Sequence, residues 1–189
     1  MLNFLSFFRV DERFDTLSNA LCILGGIVDA RITRQIVRTM KARNITHPYP
    51  ARVLDPPYEE ESSAYDTKFD STLPPQHRSS PYSYHNGAVW PFVGGAVVSA
   101  LFMAGDPSAG VELERLAQAN RVCAKGEKTG FNEWLNGRTG RPGGQSGQSW
   151  NAGMFIAGVL ASREERPSTS SVSGFSRTWN GLPVQEPIR

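Results

Sequence analysis

Two short segments concentrate the side chains that could do chemistry. Residues 82–91, YSYHNGAVWP, place Tyr82, Tyr84, His85, Asn86 and Trp90 within nine positions, directly ahead of an apolar run. Residues 131–153, FNEWLNGRTGRPGGQSGQSWNAG, carry Asn132, Glu133, Trp134, Arg138 and Gln145, and close on Gln148 and Trp150. Pooled on one face, these offer one carboxylate, several amides and hydroxyls, and flat aromatic surfaces. That mixture suits a carbohydrate. Its C–H faces stack on rings, and its hydroxyls demand many directional donors and acceptors. Each residue also has an ordinary structural alternative. His85 can cap the following helix, Trp90 can be core, and Glu133 can be a solvated loop carboxylate. Upstream, Asp15 can be a helix N-cap as readily as a ligand contact.

Helices must position these groups. From Asp15 or Thr16, which can cap the start, Leu17, Leu21, Leu24 and Val28 recur at helical spacing. A second helix is predicted over 30–43. Its apolar stripe is Ile32, Ile36, Val37 and Met40, with Arg31, Arg34, Arg38 and Lys41 on the wet side. Residues 44–84 carry seven prolines and the acidic run 59–61, and no period survives. Tyr49, Tyr58, Tyr65 and Phe69 favour an ordered loop there over a free linker. A third helix, 87–103, is apolar nearly all round and so should be central. A fourth, 108–123, sets Val111, Leu116, Ala119 and Val122 against Glu112, Glu114, Arg115 and Arg121. A glycine-rich stretch, 126–148, separates it from a fifth, 149–162. Residues 1–14 read as extended or loop-like, and no strand run stands out. Apolar and amphipathic helices alternate, as in a two-layer all-α arrangement with buried inner and half-wet outer helices. Both long loops enter apolar helices at their N-terminal ends, which places them on one rim.

Composition narrows the function classes. The chain has 189 residues, 39% hydrophobic and 20% charged, with a net charge of +2. Both signs are interspersed, so nothing argues for nucleic acid or an anionic membrane as partner. The apolar stretch 88–104 is interrupted by Pro91, Gly94, Gly95 and Ser99, too short and broken for a membrane span. The apolar N-terminus lacks a basic flank and a small-residue cleavage site, which gives the expectation of a cytoplasmic protein. Cys22 and Cys123 fall in apolar helical patterns and read as buried free thiols. No metal-ligand spacing and no cofactor motif occurs.

FDTLSNALCILGG (14–26), YSYHNGAVWPF (82–92) and the 131–153 segment follow one another in an order that resembles (α/α)6-barrel glycoside hydrolases. The pattern is similar to the C-terminal part of alkaline/neutral invertases, of glycogen-debranching amylo-α-1,6-glucosidases and of mannosylglycerate-hydrolase-like enzymes. The resemblance covers residues 10–162. It implies a partial (α/α)6 toroid of about five helices with long rim loops, and hydrolysis of a sucrose- or α-glucoside-type bond with inversion. It implies that Glu133 is the general base. It implies that Tyr84, His85, Asn86, Trp90, Gln148, Trp150 and Asp15 line or approach a sugar pocket, with no metal or cofactor. Inversion needs a protonated carboxyl about 6.5–9.5 Å from the base, with water between. In that group the upstream half carries the acid. The expectation is therefore that residues 1–165 are a C-terminal portion, with a disordered tail over 166–189. A complementary N-terminal fragment is then a candidate partner. A non-catalytic sugar-binding module or an inactive structural remnant is the alternative.

Overall fold

The computed structural model describes residues 3–6, 9–59 and 80–163. The expected tail and the aromatics Tyr65 and Phe69 lie outside them. Five helices dominate the described residues, and every strand is two to four residues long. Strands β1 (Asn3–Ser6) and β2 (Arg9–Asp11) pair antiparallel. Strand β3 (Phe14–Asp15) leads directly into helix α1 (Thr16–Leu24). Asp15 caps α1, its carboxylate accepting from the Ser18 amide at 2.9 Å. The helix stops at Leu24 rather than running on towards Val28. Gly26 takes φ +62°, so the Gly26 and Ile27 amides turn back to Ile23 and Cys22 and satisfy the last carbonyls. Helix α2 (Ala30–Ala42) is capped by Asp29 and buries Ile36, Val37 and Met40, as its stripe predicts.

Strand β4 (Leu54–Asp55) pairs with β3. Helix α3 (Pro91–Met103) starts four residues later than the apolar run suggests. A residue preceding proline is pushed out of the helical region, and Trp90 sits at φ −113°, ψ 112°. Val89 is used instead as a strand-like bridge to Arg52 and Leu135. Helix α3 is buried on all sides and packs against α1 and two later helices.

Those helices are α4 (Ala109–Arg121) and α5 (Ser149–Arg163). The phase of α4 differs from the sequence reading. Val111 is 59% exposed, whereas Glu112 is buried. Glu112 is drawn inward because Thr46 donates to it at 2.9 Å and Arg115 pairs with it at 3.1 Å. Arg115 also reaches the Pro48 carbonyl, so this carboxylate fastens the 46–50 loop to α4. Helix α5 departs from the expectation of an inner helix buried on both sides. Only Asn151 and Gly158 are buried, while Trp150, Ile156 and Leu160 are 48–58% exposed. One arc of α5 lies on α3, and the opposite arc has no neighbour among the described residues. Cys123 lies beyond the end of α4 and is exposed, and Cys22 is half-buried, so neither is the buried thiol the pattern suggests.

A backbone lattice crosses the N-terminal ends of α1 and α3. Thr16 N–H donates to Val53, Val53 to Ala88, and Trp90 to Ala51. Val89 and Leu135 exchange both bonds, at 2.9 and 2.8 Å. Strands β5 (Trp134–Leu135) and β6 (Pro142–Gly143) then extend the row. The order is β3, β4, the 88–90 segment, β5, β6. All three sequence motifs are thereby held edge to edge.

Candidate active site

The lattice brings the two chemistry-bearing loops into contact. The Gly137 amide donates to the Tyr82 carbonyl at 2.8 Å, and Gly137 lies so close to the Gly87 carbonyl that a side chain there would clash. On this rim the aromatic groups form a stack. The His85 ring lies on Trp90, centroids 4.9 Å apart and 7° from parallel. Tyr84 stands 4.1 Å from His85, 5.5 Å from Trp90 and 6.5 Å from Trp134. The Trp90 indole N–H donates to the Tyr84 carbonyl at 2.9 Å, which satisfies the one polar group of a buried ring. Trp90 is thus both core and floor.

Glu133 enters from the facing loop. Its amide donates to the Gln145 carbonyl at 2.7 Å, and the Gln145 amide approaches Glu133 Oε2 at 3.3 Å. Gly144, at φ +67°, leaves the niche the carboxylate occupies, since a Cβ there would collide with Glu133 Oε2. The carboxylate acts on the stack electrostatically. Burial, then the charge of Glu133, raises the Tyr84 hydroxyl above its ordinary value of 10.0. Burial among the rings lowers His85 below 6.5, with Glu133 opposing. That direction favours the neutral imidazole, which suits stacking and one donated and one accepted hydrogen bond.

The rim also stores backbone strain. Tyr82, Tyr84 and Phe131 take φ of +65°, +45° and +55°. For bulky side chains this costs on the order of 1–3 kcal/mol each, and such strain clusters at functional sites. The 80–86 turn pays it with Tyr82 N–H to Asn86, Ser83 N–H to Ser80, and Asn86 N–H to Ser83.

Of the residues singled out from the sequence, the structure gathers Tyr84, His85, Trp90 and Glu133. Gln148 flanks them, its amide on the Phe131 carbonyl and its side chain 3.5 Å from the Gln145 carbonyl. Asn86 lies beneath the rim, 3% exposed, with its amide oxygen and nitrogen bonded to the Tyr58 backbone. Trp150 opens the exposed arc of α5. Asp15 is three lattice steps from Glu133, or about 14 Å at roughly 4.8 Å per step, and its carboxylate holds the α1 amide. Sequence reasoning missed Gly144, whose signal is the Gly-Gly pair, and Tyr58, Asp11 and Arg13, which no motif marks. Among the described residues no group of three or more His, Cys, Asp or Glu could hold a metal ion. None of their helices is long and apolar enough to cross a membrane.

Among the described residues, the Glu133 carboxylate is set beside the ring stack, on a loop hydrogen-bonded to the turn that carries it. Residues 2–165 match the alkaline and neutral invertase family. This chain belongs to that family. It is 25% identical over 186 residues to probable alkaline/neutral invertase D of Arabidopsis thaliana, covering 90% of this chain and 33% of that protein. It is 26% identical over 158 residues to probable alkaline/neutral invertase F of the same plant, covering 80% and 30%. The chain spans about a third of the length of these invertase relatives. The match narrows the three-way resemblance seen in the sequence to the invertases.

Proposed function

We propose that this chain supplies the general-base half of an inverting glycoside-hydrolase site acting on a sucrose- or α-glucoside-type bond. Glu133 is the base. It takes the proton of a water molecule as that water attacks the anomeric carbon, and the C–O bond to the leaving group breaks on the opposite face. Tyr84, His85 and Trp90 form the platform under the sugar ring, and Gln148 donates from the flank. The protonated carboxyl that completes the pair comes from polypeptide outside these 189 residues. The observation that carries this reading is the placement of Glu133: one carboxylate, in a glycine-shaped niche, coupled to both Tyr84 and His85.

The apolar arc of α5 supports the same reading. Ile156 and Leu160 face water to about half their area, with Trp150 beside them. Exposed large apolar side chains on one helix fit a further neighbour. A complementary polypeptide bearing the acid would cover it.

The test is calorimetric and fluorescence titration of the purified chain with sucrose, maltose and isomaltose. The expected result is saturable, weak binding in the millimolar range, about −4 kcal/mol, with a change in tryptophan emission and no hydrolysis. Absence of any saturable response to all three sugars would remove the platform from the proposal. Binding that Glu133→Gln leaves intact while His85→Ala abolishes it separates platform from base.

A further inference from the structure

Asn86 sits in the centre of the motif that carries the platform, yet its side chain points into the protein. Its Oδ1 accepts from the Tyr58 amide at 2.6 Å and its Nδ2 donates to the Tyr58 carbonyl at 2.8 Å. This pair of antiparallel bonds mimics a strand bridge. Tyr58 is fixed in turn at its far end. Its hydroxyl donates to Asp11 Oδ2 at 2.5 Å, and the Arg13 guanidinium lies 3.8 Å from its ring centroid. The Arg13 guanidinium also pairs with Asp11 Oδ2 at 2.8 Å, and the Arg13 backbone amide donates to Asp11 Oδ1 at 2.8 Å. Asp11 is 6% exposed.

We propose that Asp11, Arg13, Tyr58 and Asn86 form a positioning strut that holds the strained Tyr82–Asn86 turn, and with it Tyr84 and His85, at the height of the sugar platform. Asn86 is then a positioning residue and does not touch the sugar. The role as part of a sugar site rests on the function proposed above, but the strut itself does not.

Two aromatic residues at positive φ, two apart, would relax if the turn were free. Bonds within the turn link only its own members. Among the described residues, the Asn86–Tyr58 pair ties the turn to Tyr58 through two side-chain bonds, alongside the Trp90 bond to the Tyr84 carbonyl and the Arg138 contact on the Tyr82 ring. Tyr58 in turn cannot slide, because Asp11 and Arg13 hold opposite ends of its hydroxyl and ring. Burial, then Asp11, raises the Tyr58 hydroxyl to about 12, so the phenol remains a donor throughout the working pH range. Burial would raise Asp11, but the bonds from Tyr58 and Arg13 outweigh it and hold the carboxyl below its ordinary 3.8, so the acceptor remains charged. The strut therefore has no switch at neutral pH.

The test reads His85 directly, with sucrose binding as a second readout. The titration of the His85 ring protons is followed by NMR in the parent chain, Asn86→Ala, Tyr58→Phe and Val97→Ala. Among the described residues, Glu133 and Tyr84 are the titratable groups facing His85, and neither is altered. In the parent the midpoint lies below 6.5. Release of the turn lifts His85 from Trp90, so Asn86→Ala moves the midpoint up towards 6.5 and weakens sucrose binding about tenfold. Tyr58→Phe removes only the Asp11 bond and gives a smaller shift of the same sign. Should Asn86→Ala fail to fold, Tyr58→Phe carries the test. Val97→Ala, a cavity in α3, lowers the melting temperature without moving the midpoint. An unchanged midpoint in the folded variants overturns the strut. So does loss of sucrose binding in Asn86→Ala with His85 unmoved, which would make Asn86 a ligand contact. A shifted midpoint in a chain that binds no sugar leaves the strut standing and removes the proposed function.

Discussion

Glu133→Gln is expected to lower hydrolysis about 10²–10⁴-fold, the range a positioned general base supplies, with little change in sugar affinity. The enzyme for this test is an active hybrid in which residues 2–165 replace the corresponding part of the Arabidopsis thaliana invertase D. Glutamine keeps the shape that fills the Gly144 niche and keeps an oxygen for the Gln145 amide, so the loop stays in place. What it loses is the ability to take a proton from water. The loss should therefore fall on kcat and leave KM within about threefold, the signature of an interaction made in the transition state. A variant that raises KM with kcat intact would make Glu133 a binding residue. Near-normal turnover would remove it from the chemistry.

Gly95→Ala is expected to be strongly destabilising. Gly95 is in the middle of α3, and a Cβ there would collide with the carbonyl of Met154 in α5. Backbone cannot rotate away as a side chain can, so α5 must shift as a body. Overpacking of this kind costs about 1–3 kcal/mol, and the backbone contact puts Gly95→Ala at the upper end. For a chain of this size that lowers the melting temperature by roughly 6–12 °C. The internal comparison is Gly153→Ala on α5. Nothing lies within 4 Å of a Cβ there, so the better helix propensity of alanine raises stability by about 0.5–1 kcal/mol. The two glycines are 58 positions apart in sequence and indistinguishable by composition. If both substitutions move the melting temperature in the same direction, the packing of α3 on α5 is not as described.

The elements legible in the sequence are those whose signal is periodic and local. Asp15 announces its helix because a capping carboxylate works through the next three residues. The stripe of α2 is read correctly for the same reason. The start of α3 is displaced because Pro91 forbids helix at Trp90, and because Val89 has two strand-like partners that lie far away in sequence. Two-residue strands have no period to detect, so the lattice that joins the motifs is invisible until the chain is folded. The phase of α4 fails at Val111 and Glu112 because Thr46, a loop residue, supplies the hydrogen bond that draws a carboxylate inward. Hydrophobic patterning assumes that charge faces water, and this partner inverts the assumption.

The site divides in the same way. The expectation of a sugar platform at Tyr84, His85 and Trp90 rests on residue type, and what the structure shows is that these three rings pack together. Residue types do not reveal which amide meets a ligand. Asn86 and Gln148 look equivalent in sequence, yet one is locked to Tyr58 and the other lies at the rim. Asp15 is equally ambiguous until its place in the lattice is known.

The central claim is that Glu133 directs water to the face of the sugar opposite the leaving group. The most direct measurement is the anomeric configuration of the first-formed product. Proton NMR of the active hybrid, recorded before mutarotation, should show β-glucose appearing first from an α-glucoside. First release of α-glucose would mean retention, with Glu133 as nucleophile or bystander, and would contradict the account.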